Sequence, residues 1–382
     1  MKFSYYRCVC VSALSLALSA VVVAQTPPAA PSAQTTTPAP APPPAPVWSV
    51  GPIDFSGLVD VYYDKNFNNP ASLTNGLRNF DVKANQFSLN MAKLTLAHDP
   101  DPVGFRVDFG FGRAFDIIHA AEPNGPAIMR NVEQAYVTLK PPKAKGFTID
   151  FGKFVTGAGA EVIETKDNWN YSRSLLFAWA IPYYHFGARA TIPMGAHFTG
   201  GVQLVNGWNN VEDNNTGKTV GLIGNFTGKK VTWFNNYYTG PENAGSNKGF
   251  RNLYDTTLLL TPMDMFNAYV NFDYGVNKDT SGAKSIWNGV AVAAKIAPTG
   301  MFALTPRIEW FNDHNGFSTG TAQKVKEFTI TAELKMKEGF LTRLEYRHDW
   351  SDQKFFERGP VGTTDHQDTV LIGFVAFFGP KR

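Results

Sequence analysis

Along most of the chain, apolar and polar residues alternate one for one. In FTITAELKMKEGFLTRLEYRHDW, residues 328–350, an apolar row is interleaved with Glu333, Lys335, Arg343, Glu345 and Arg347. A period of two belongs to the β-strand, whose successive side chains point to opposite faces. GPIDFSGLVDVYYD sets Ile53, Phe55, Val59, Val61 and Tyr63 against Asp54, Ser56 and Asp60. GFRVDFGFG sets Phe105, Val107, Phe109 and Phe111 against Arg106 and Asp108, and residues 266–275 and 301–311 repeat the texture around Asp273, Arg307 and Glu309. No convincing helical stretch separates these segments.

The connections carry the topology. Tight turns at 98–102, 141–146, 193–196, 228–230, 261–264, 297–300 and 337–339 alternate with longer polar segments. The latter fall at 65–85, 113–130, 157–182, 209–218, 241–250, 276–284, 312–325 and 351–367. Seven turns and eight loops require about 16 strands, with short connections at one rim and long ones at the other. A soluble sandwich or propeller has no reason to sort its loops this way. The expected fold is all-β: a transmembrane antiparallel β-barrel with short periplasmic turns and long extracellular loops.

The two faces agree with that expectation. Phe55 and Tyr63, Phe105 and Phe111, Phe198 and Trp208, Phe266 and Tyr274, Phe302 and Trp310, and Phe340 and Tyr346 form aromatic pairs on strands that run up from short turns. Four of the pairs bracket roughly the 9–11 residues of a tilted spanning strand and two are shorter, as two interfacial girdles would. The opposite face carries Asp60, Arg106, Asp108, Asp150, Arg189, Asp273, Arg307, Glu309, Glu333, Lys335, Arg343, Glu345 and Arg347. A Lys or Arg facing lipid at mid-depth would cost about 2–4 kcal/mol, so this face is expected to line a lumen. At about sixteen strands a lumen is wide enough for water. The longest loop, 157–182, mixes Glu161, Glu164, Lys166, Asp167 and Arg173 with Trp169 and Tyr171. Folded inward it would narrow the lumen, making those five charges the candidates for a constriction.

The N-terminus sets the compartment. Lys2 and Arg7 precede an apolar run that ends in Val22-Val23-Ala24, the layout of a secretory signal peptide over 1–24. Both cysteines, Cys8 and Cys10, fall within it. Residues 25–47, rich in proline and alanine, read as a disordered periplasmic linker, and 48–382 as the barrel. Loss of Lys2 and Arg7, with no acid between them, lowers the formal charge from +3 to +1. Such a balance argues against a nucleic-acid partner.

A barrel hydrolase or protease needs a histidine beside a nucleophile or an acid pair on one face. The seven histidines are scattered, His348 and Asp349 point to opposite faces of one strand, and His119, His314 and His366 lie in long loops where solvation is expected. No zinc-type spacing and no phosphate-binding glycine loop occurs, so neither metal nor cofactor is expected. A structural or adhesin barrel with a plugged lumen is the remaining alternative to a passive channel.

The runs EQAYVTLKPP (133–142), IDFGKFVTGAGAE (149–161) and NWNYSRSLLFAWAIPYYHFGARA (168–190) resemble the putative β-barrel porin family of bacterial outer-membrane channels. The best matches are Gly152–Phe154, the Gly159/Glu161 pair and Asn170–Ser174, and the resemblance extends over 53–382. It implies an outer-membrane pore; the function expected is a passive channel for small hydrophilic solutes, with outer-membrane lipid and the barrel assembly machinery as partners. Porins of this size are often trimers. Barrels of this kind usually finish on an aromatic residue, whereas here Phe378 precedes Gly-Pro-Lys-Arg.

The hairpin at 328–350 allows a sharp test. A three-residue turn at 337–339 with Gly339 left-handed sets Met336 opposite Phe340, Glu333 opposite Arg343 and Thr331 opposite Glu345.

Overall fold

The computed structural model describes residues 48–120, 127–336 and 339–380, so the expected signal peptide and linker lie outside the described residues. Sixteen long strands follow in order. They are β1 (Ile53–Asn66), β2 (Gln86–His98), β3 (Val103–Phe111), β4 (Val132–Leu139), β5 (Thr148–Val155), β6 (Tyr184–Met194), β7 (Phe198–Val205) and β8 (Thr219–Thr227). The second half comprises β9 (Val231–Asn243), β10 (Ser246–Met263), β11 (Phe266–Lys278), β12 (Lys284–Ile296), β13 (Phe302–Asp313), β14 (Gln323–Met336), β15 (Phe340–Ser351) and β16 (His366–Phe378). Each pairs antiparallel with the next, and β16 pairs with β1 from Thr369 opposite Asn66 to Phe378 opposite Gly57. The sheet is therefore a closed barrel with no free edge, the form that satisfies every ladder group without water.

Alternation sorts the side chains as the sequence pattern requires. Val59, Val61, Phe109, Val137, Phe151, Leu222, Val270, Val292, Ile308, Leu344 and Phe374 stand exposed on the outside as an apolar belt. Asp60, Asp108, Asp273, Arg307, Glu309, Arg343, Glu345 and Arg347 are buried on the inside. In the β14–β15 hairpin Met336 faces Phe340, Glu333 faces Arg343 and Thr331 faces Glu345, and Gly339 has φ +75°.

Two bulges break the alternation usefully. Asp60 pairs with Met91 but Val61 with Leu89, which leaves Asn90 and Met91 both buried inside. Asp108 pairs with Gln134 but Phe109 with Val132, and Glu133 is buried beside Gln134. An extra residue in one strand re-aims a side chain that strict alternation would send to lipid.

The strands overrun the sequence pattern at two connections. The segment 241–250, expected as a long loop, is a hairpin whose ladder continues to Asn243 opposite Ser246, turning at Gly245 with φ +69°. The connection expected at 276–284 shrinks to 279–283. Above the bilayer both faces of a strand meet water, so the apolar signal fades while backbone pairing persists. Trp208 also departs from its girdle position. β7 ends at Val205, Gly207 turns the chain with φ +135°, and Trp208 packs edge-on against the buried Trp287.

Candidate functional site in the barrel lumen

Loop 3 (156–183), between β5 and β6, runs across the interior instead of capping the rim. At its root the Gly159 amide donates to Asp255 on β10 (2.9 Å), and Asn236 on β9 donates to the Gly157 carbonyl (2.9 Å). Further on, Thr165 and Tyr171 donate to Asp60 on β1, the latter at 2.7 Å. Asn170 donates to Thr331 on β14 (2.7 Å). The Tyr171 and Ser172 amides share the Glu345 carboxylate on β15 at 2.6 and 2.9 Å.

The arginines of the wall close the arrangement. Arg343 donates to the carbonyls of Thr165 (2.6 Å), Asn170 (3.0 Å) and Asn168, and holds Glu333 at 2.6 Å. Arg347 donates to the Arg173 carbonyl (2.6 Å), and Arg307 to the Ser172 carbonyl (2.9 Å) and to Glu161 (2.7 Å). Three guanidiniums thus satisfy the backbone of an irregular segment that carries no ladder of its own. Irregular backbone at membrane depth is tolerated where protein buries it, and a guanidinium's five donors suit that task. A short helix, α1 (Leu175–Trp179), is capped by Ser174, whose hydroxyl accepts from the Phe177 amide. Its apolar face joins Trp287, Phe311 and the loop 1 residues Leu77 and Phe80 in one buried cluster.

Loop 1 (67–85) lies against this layer. Arg78 bridges Asp81 and Asp349 of β15, the latter at 2.7 Å. Although burial opposes its charge, Asp349 and Asp81 hold Arg78 above its ordinary range. Burial pushes the Tyr171 hydroxyl well above its ordinary value, and Asp60 adds to the shift, so it stays a proton donor. Burial would raise Glu164, but Lys93 on β2 overrides it and holds the carboxyl below the usual carboxylate range. In loop 2 (112–131), burial and Lys153 lower His119 to about 4. Its Nε2 lies 2.8 Å from the Lys153 ammonium, and its Nδ1 lies 2.9 Å from the Phe115 carbonyl. His119 is therefore a buried neutral acceptor, not the solvated group its loop position suggested.

The five loop charges separate into two sets. Glu161 is buried against Arg307 and the Ser174 amide, Arg173 is buried donating to the Tyr171 and Ile163 carbonyls, and Glu164 pairs with Lys93. Lys166 and Asp167, paired at 2.7 Å, keep 30 % and 51 % of their side chains exposed. The lining charges divide likewise. Arg106, Arg189 and Asp150 retain 34, 21 and 15 % exposure on the β3–β6 wall, and Lys335 is exposed near the turn.

Sequence reasoning missed several contributors. Lys93 sits among Asp108 (3.5 Å), Glu133 (3.3 Å) and Glu164, and Asn90 donates to Asp60 at 2.6 Å. Both depend on the bulges, which leave no mark in the hydrophobic pattern. The carboxylates of Asp108, Glu133 and Glu164 are the one trio within metal-ligand range among the described residues. The Lys93 ammonium already fills the position a cation would take.

Comparison with known proteins agrees with this geometry. No curated protein matches the chain. Among solved structures, an anion-selective porin from Comamonas acidovorans aligns over 85 % of this chain and 99 % of its own, at 11 % identity and a TM-score of 0.59. The outer membrane channel DcaP of Acinetobacter baumannii aligns over 87 % and 100 %, at 12 % identity and TM-score 0.55. The trimer form of OmpT, an outer membrane protein of Vibrio cholerae, aligns over 85 % and 99 %, at 12 % identity and TM-score 0.56. At such identities the likeness shows the fold. The family described as putative beta-barrel porin-2, OmpL-like, matches residues 52–378, and the chain belongs to it as a porin-type barrel of the bacterial outer membrane.

Proposed function

We propose that the protein is a narrow passive channel for small hydrophilic solutes or ions, with loop 3 as its constriction. The observation that carries this reading is the fixing of loop 3 across the lumen by Arg307, Arg343 and Arg347, which leaves the β3–β6 wall wet. Lys166 and Asp167 on the loop and Arg106, Asp150, Arg189 and Lys335 on the wall then set selectivity, while Glu161, Glu164 and Arg173 hold the loop in place. Four cations and two anions make up the water-facing set; Lys166 pairs with Asp167, Arg189 with Asp150 and Arg106 with the buried Asp108, which favours weak ion selectivity. A homotrimer belongs to the same reading.

A second reading, a structural barrel with a closed lumen, draws support from the apolar cluster joining loops 1, 2 and 3. Planar-bilayer recording separates the two. Discrete small ohmic steps from the folded protein support the channel, and a folded but silent barrel sinks it. Reversal potential in a salt gradient then measures selectivity, and a strong preference for one sign would overturn the charge assignment.

A further inference from the structure

Loop 8 (352–365) joins β15 to β16 at the long-loop rim, and the strands beneath it carry a polar cluster on their outer face. His366, which the sequence pattern places within the loop, opens β16. The ladder sets His348 opposite Asp368 and Trp350 opposite His366, so the two histidines are diagonal neighbours. Asp349, Ser351 and Gln367 beside them are buried inside, which fixes both histidines as outward. The channel makes no use of them.

The two imidazoles stack, with ring centroids 6.0 Å apart and planes 28° from parallel. A carboxylate holds each one from behind. The His348 Nδ1 donates to the Asp368 Oδ1 (2.8 Å), which also accepts from Tyr346 at 2.6 Å. The His366 Nδ1 donates to the Asp365 Oδ1 (2.8 Å), to which Thr364 also donates at 3.3 Å. A proton fixed on Nδ1 leaves the lone pair of a neutral ring on Nε2. Neither Nε2 has a hydrogen-bond partner among the described residues. Both rings are partly exposed, and with Trp350, Ser351, Asp365 and Asp368 they line one open cavity. Two imidazolium rings so placed would repel, whereas two neutral rings present a pair of nitrogen ligands to a shared cation.

We propose that His348 and His366 bind one divalent transition-metal ion through their Nε2 atoms. Asp368 and Asp365 are positioning residues: a carboxylate on Nδ1 fixes the tautomer and the ring orientation and raises the basicity of Nε2. Metal–imidazole bonds of about 2.0–2.1 Å put two nitrogens on one ion no more than about 4 Å apart. Centroids at 6.0 Å come within that reach by rotation of two partly exposed rings about their side-chain bonds. Imidazole suits zinc, copper and nickel, and two protein ligands leave the other coordination positions to water. The ion would clip β15 to β16 at the foot of loop 8. Residues 348 and 366 are brought together by strand register alone, so no short histidine spacing in the sequence marks the site.

The test titrates the folded barrel in detergent, stripped with a chelator and without an affinity tag, with Zn²⁺ alone in a calorimeter. One equivalent is expected to bind. His348→Gln and His366→Gln, each still heat-modifiable on gels, are expected to lose that binding, and Asp368→Ala to weaken it by roughly 10–100-fold. His314→Gln, at another point of the same rim, is expected to keep it. Loaded with Cu²⁺ instead, the parent should give a paramagnetic resonance spectrum with hyperfine coupling to two imidazole nitrogens, and His366→Gln should not. A parent that takes up no zinc overturns the proposal. So does uptake unchanged in both histidine variants, uptake lost equally in His314→Gln, or a copper signal from a single nitrogen.

Discussion

The inner wall has two sides that read alike in sequence and behave differently. On β13–β15, Arg307, Glu309, Glu327, Arg343, Glu345 and Arg347 are nearly sealed from water and bound to loop 3 or to one another. On β3–β6, Arg106, Asp150 and Arg189 pair locally and stay partly wet, with Thr138 donating to Asp150 at 2.7 Å. Both walls alternate charge with apolar residues. The difference teaches that an inward charge on a barrel strand has two fates, and that a neighbouring loop chooses between them. Where loop 3 lies, charge is needed to satisfy irregular backbone. Where it does not, charge is left facing solvent.

The largest expected break in this contrast is Arg343→Met. It leaves Glu333 with Lys295 as its remaining partner and strips the Arg343 donors from the Thr165, Asn168 and Asn170 carbonyls, and removing one partner of a buried pair costs about 3–5 kcal/mol. Chemical unfolding in lipid vesicles should show the loss, and bilayer recordings should show larger or noisier conductance as loop 3 is released. Wild-type conductance from a folded Arg343→Met barrel would mean that the loop does not depend on this wall. Next comes Tyr171→Phe, which leaves Asp60 without its 2.7 Å donor; a lost bond to a buried group costs about 1–3 kcal/mol. Unfolding midpoints of the two variants side by side would rank the anchors, and a Tyr171→Phe loss exceeding that of Arg343→Met would reverse the picture.

Acid probes the β5 side. His119 has a folded-state value of about 4 against an ordinary 6.5. The unfolded state therefore binds more protons between those values, and stability falls as pH drops from 6.5 to about 4, with a slope of at most about 1.4 kcal/mol per pH unit. Comparing His119→Gln with the parent across that window measures the contribution; identical pH profiles would exclude it. The smallest effect on stability is expected at the wet wall. Asp150→Asn breaks a partly exposed pair worth about 0–1 kcal/mol, while removal of the negative charge should shift the reversal potential toward anions. A large stability loss with no shift would place Asp150 with the tied wall.

Several features were open to inspection in the alternating pattern: sixteen strands, the rim at which the turns lie, the register of Glu333 with Arg343, and the inward set from Asp60 to Arg347. Hydrophobic period and turn length suffice for these, since a strand's faces are dictated residue by residue. The partners of those charges were not legible. Asn90, Lys93 and Glu133 depend on bulges that shift the phase locally, and Trp208 turns inward only because Gly207 ends its strand. The hairpin at 241–250 has no apolar alternation because, outside the bilayer, polar residues can occupy both faces of a paired strand.

By itself, then, the sequence determined which residues face lipid and which face inward, because that choice follows from a two-residue period and the cost of charge in hydrocarbon. Only the tertiary structure decided which inward charges meet water. Loop 3 could have capped the rim with the same composition. Its course across the lumen is set by Asp60, Arg307, Arg343, Glu345 and Arg347 converging from strands far apart in the chain, and no local pattern records that convergence.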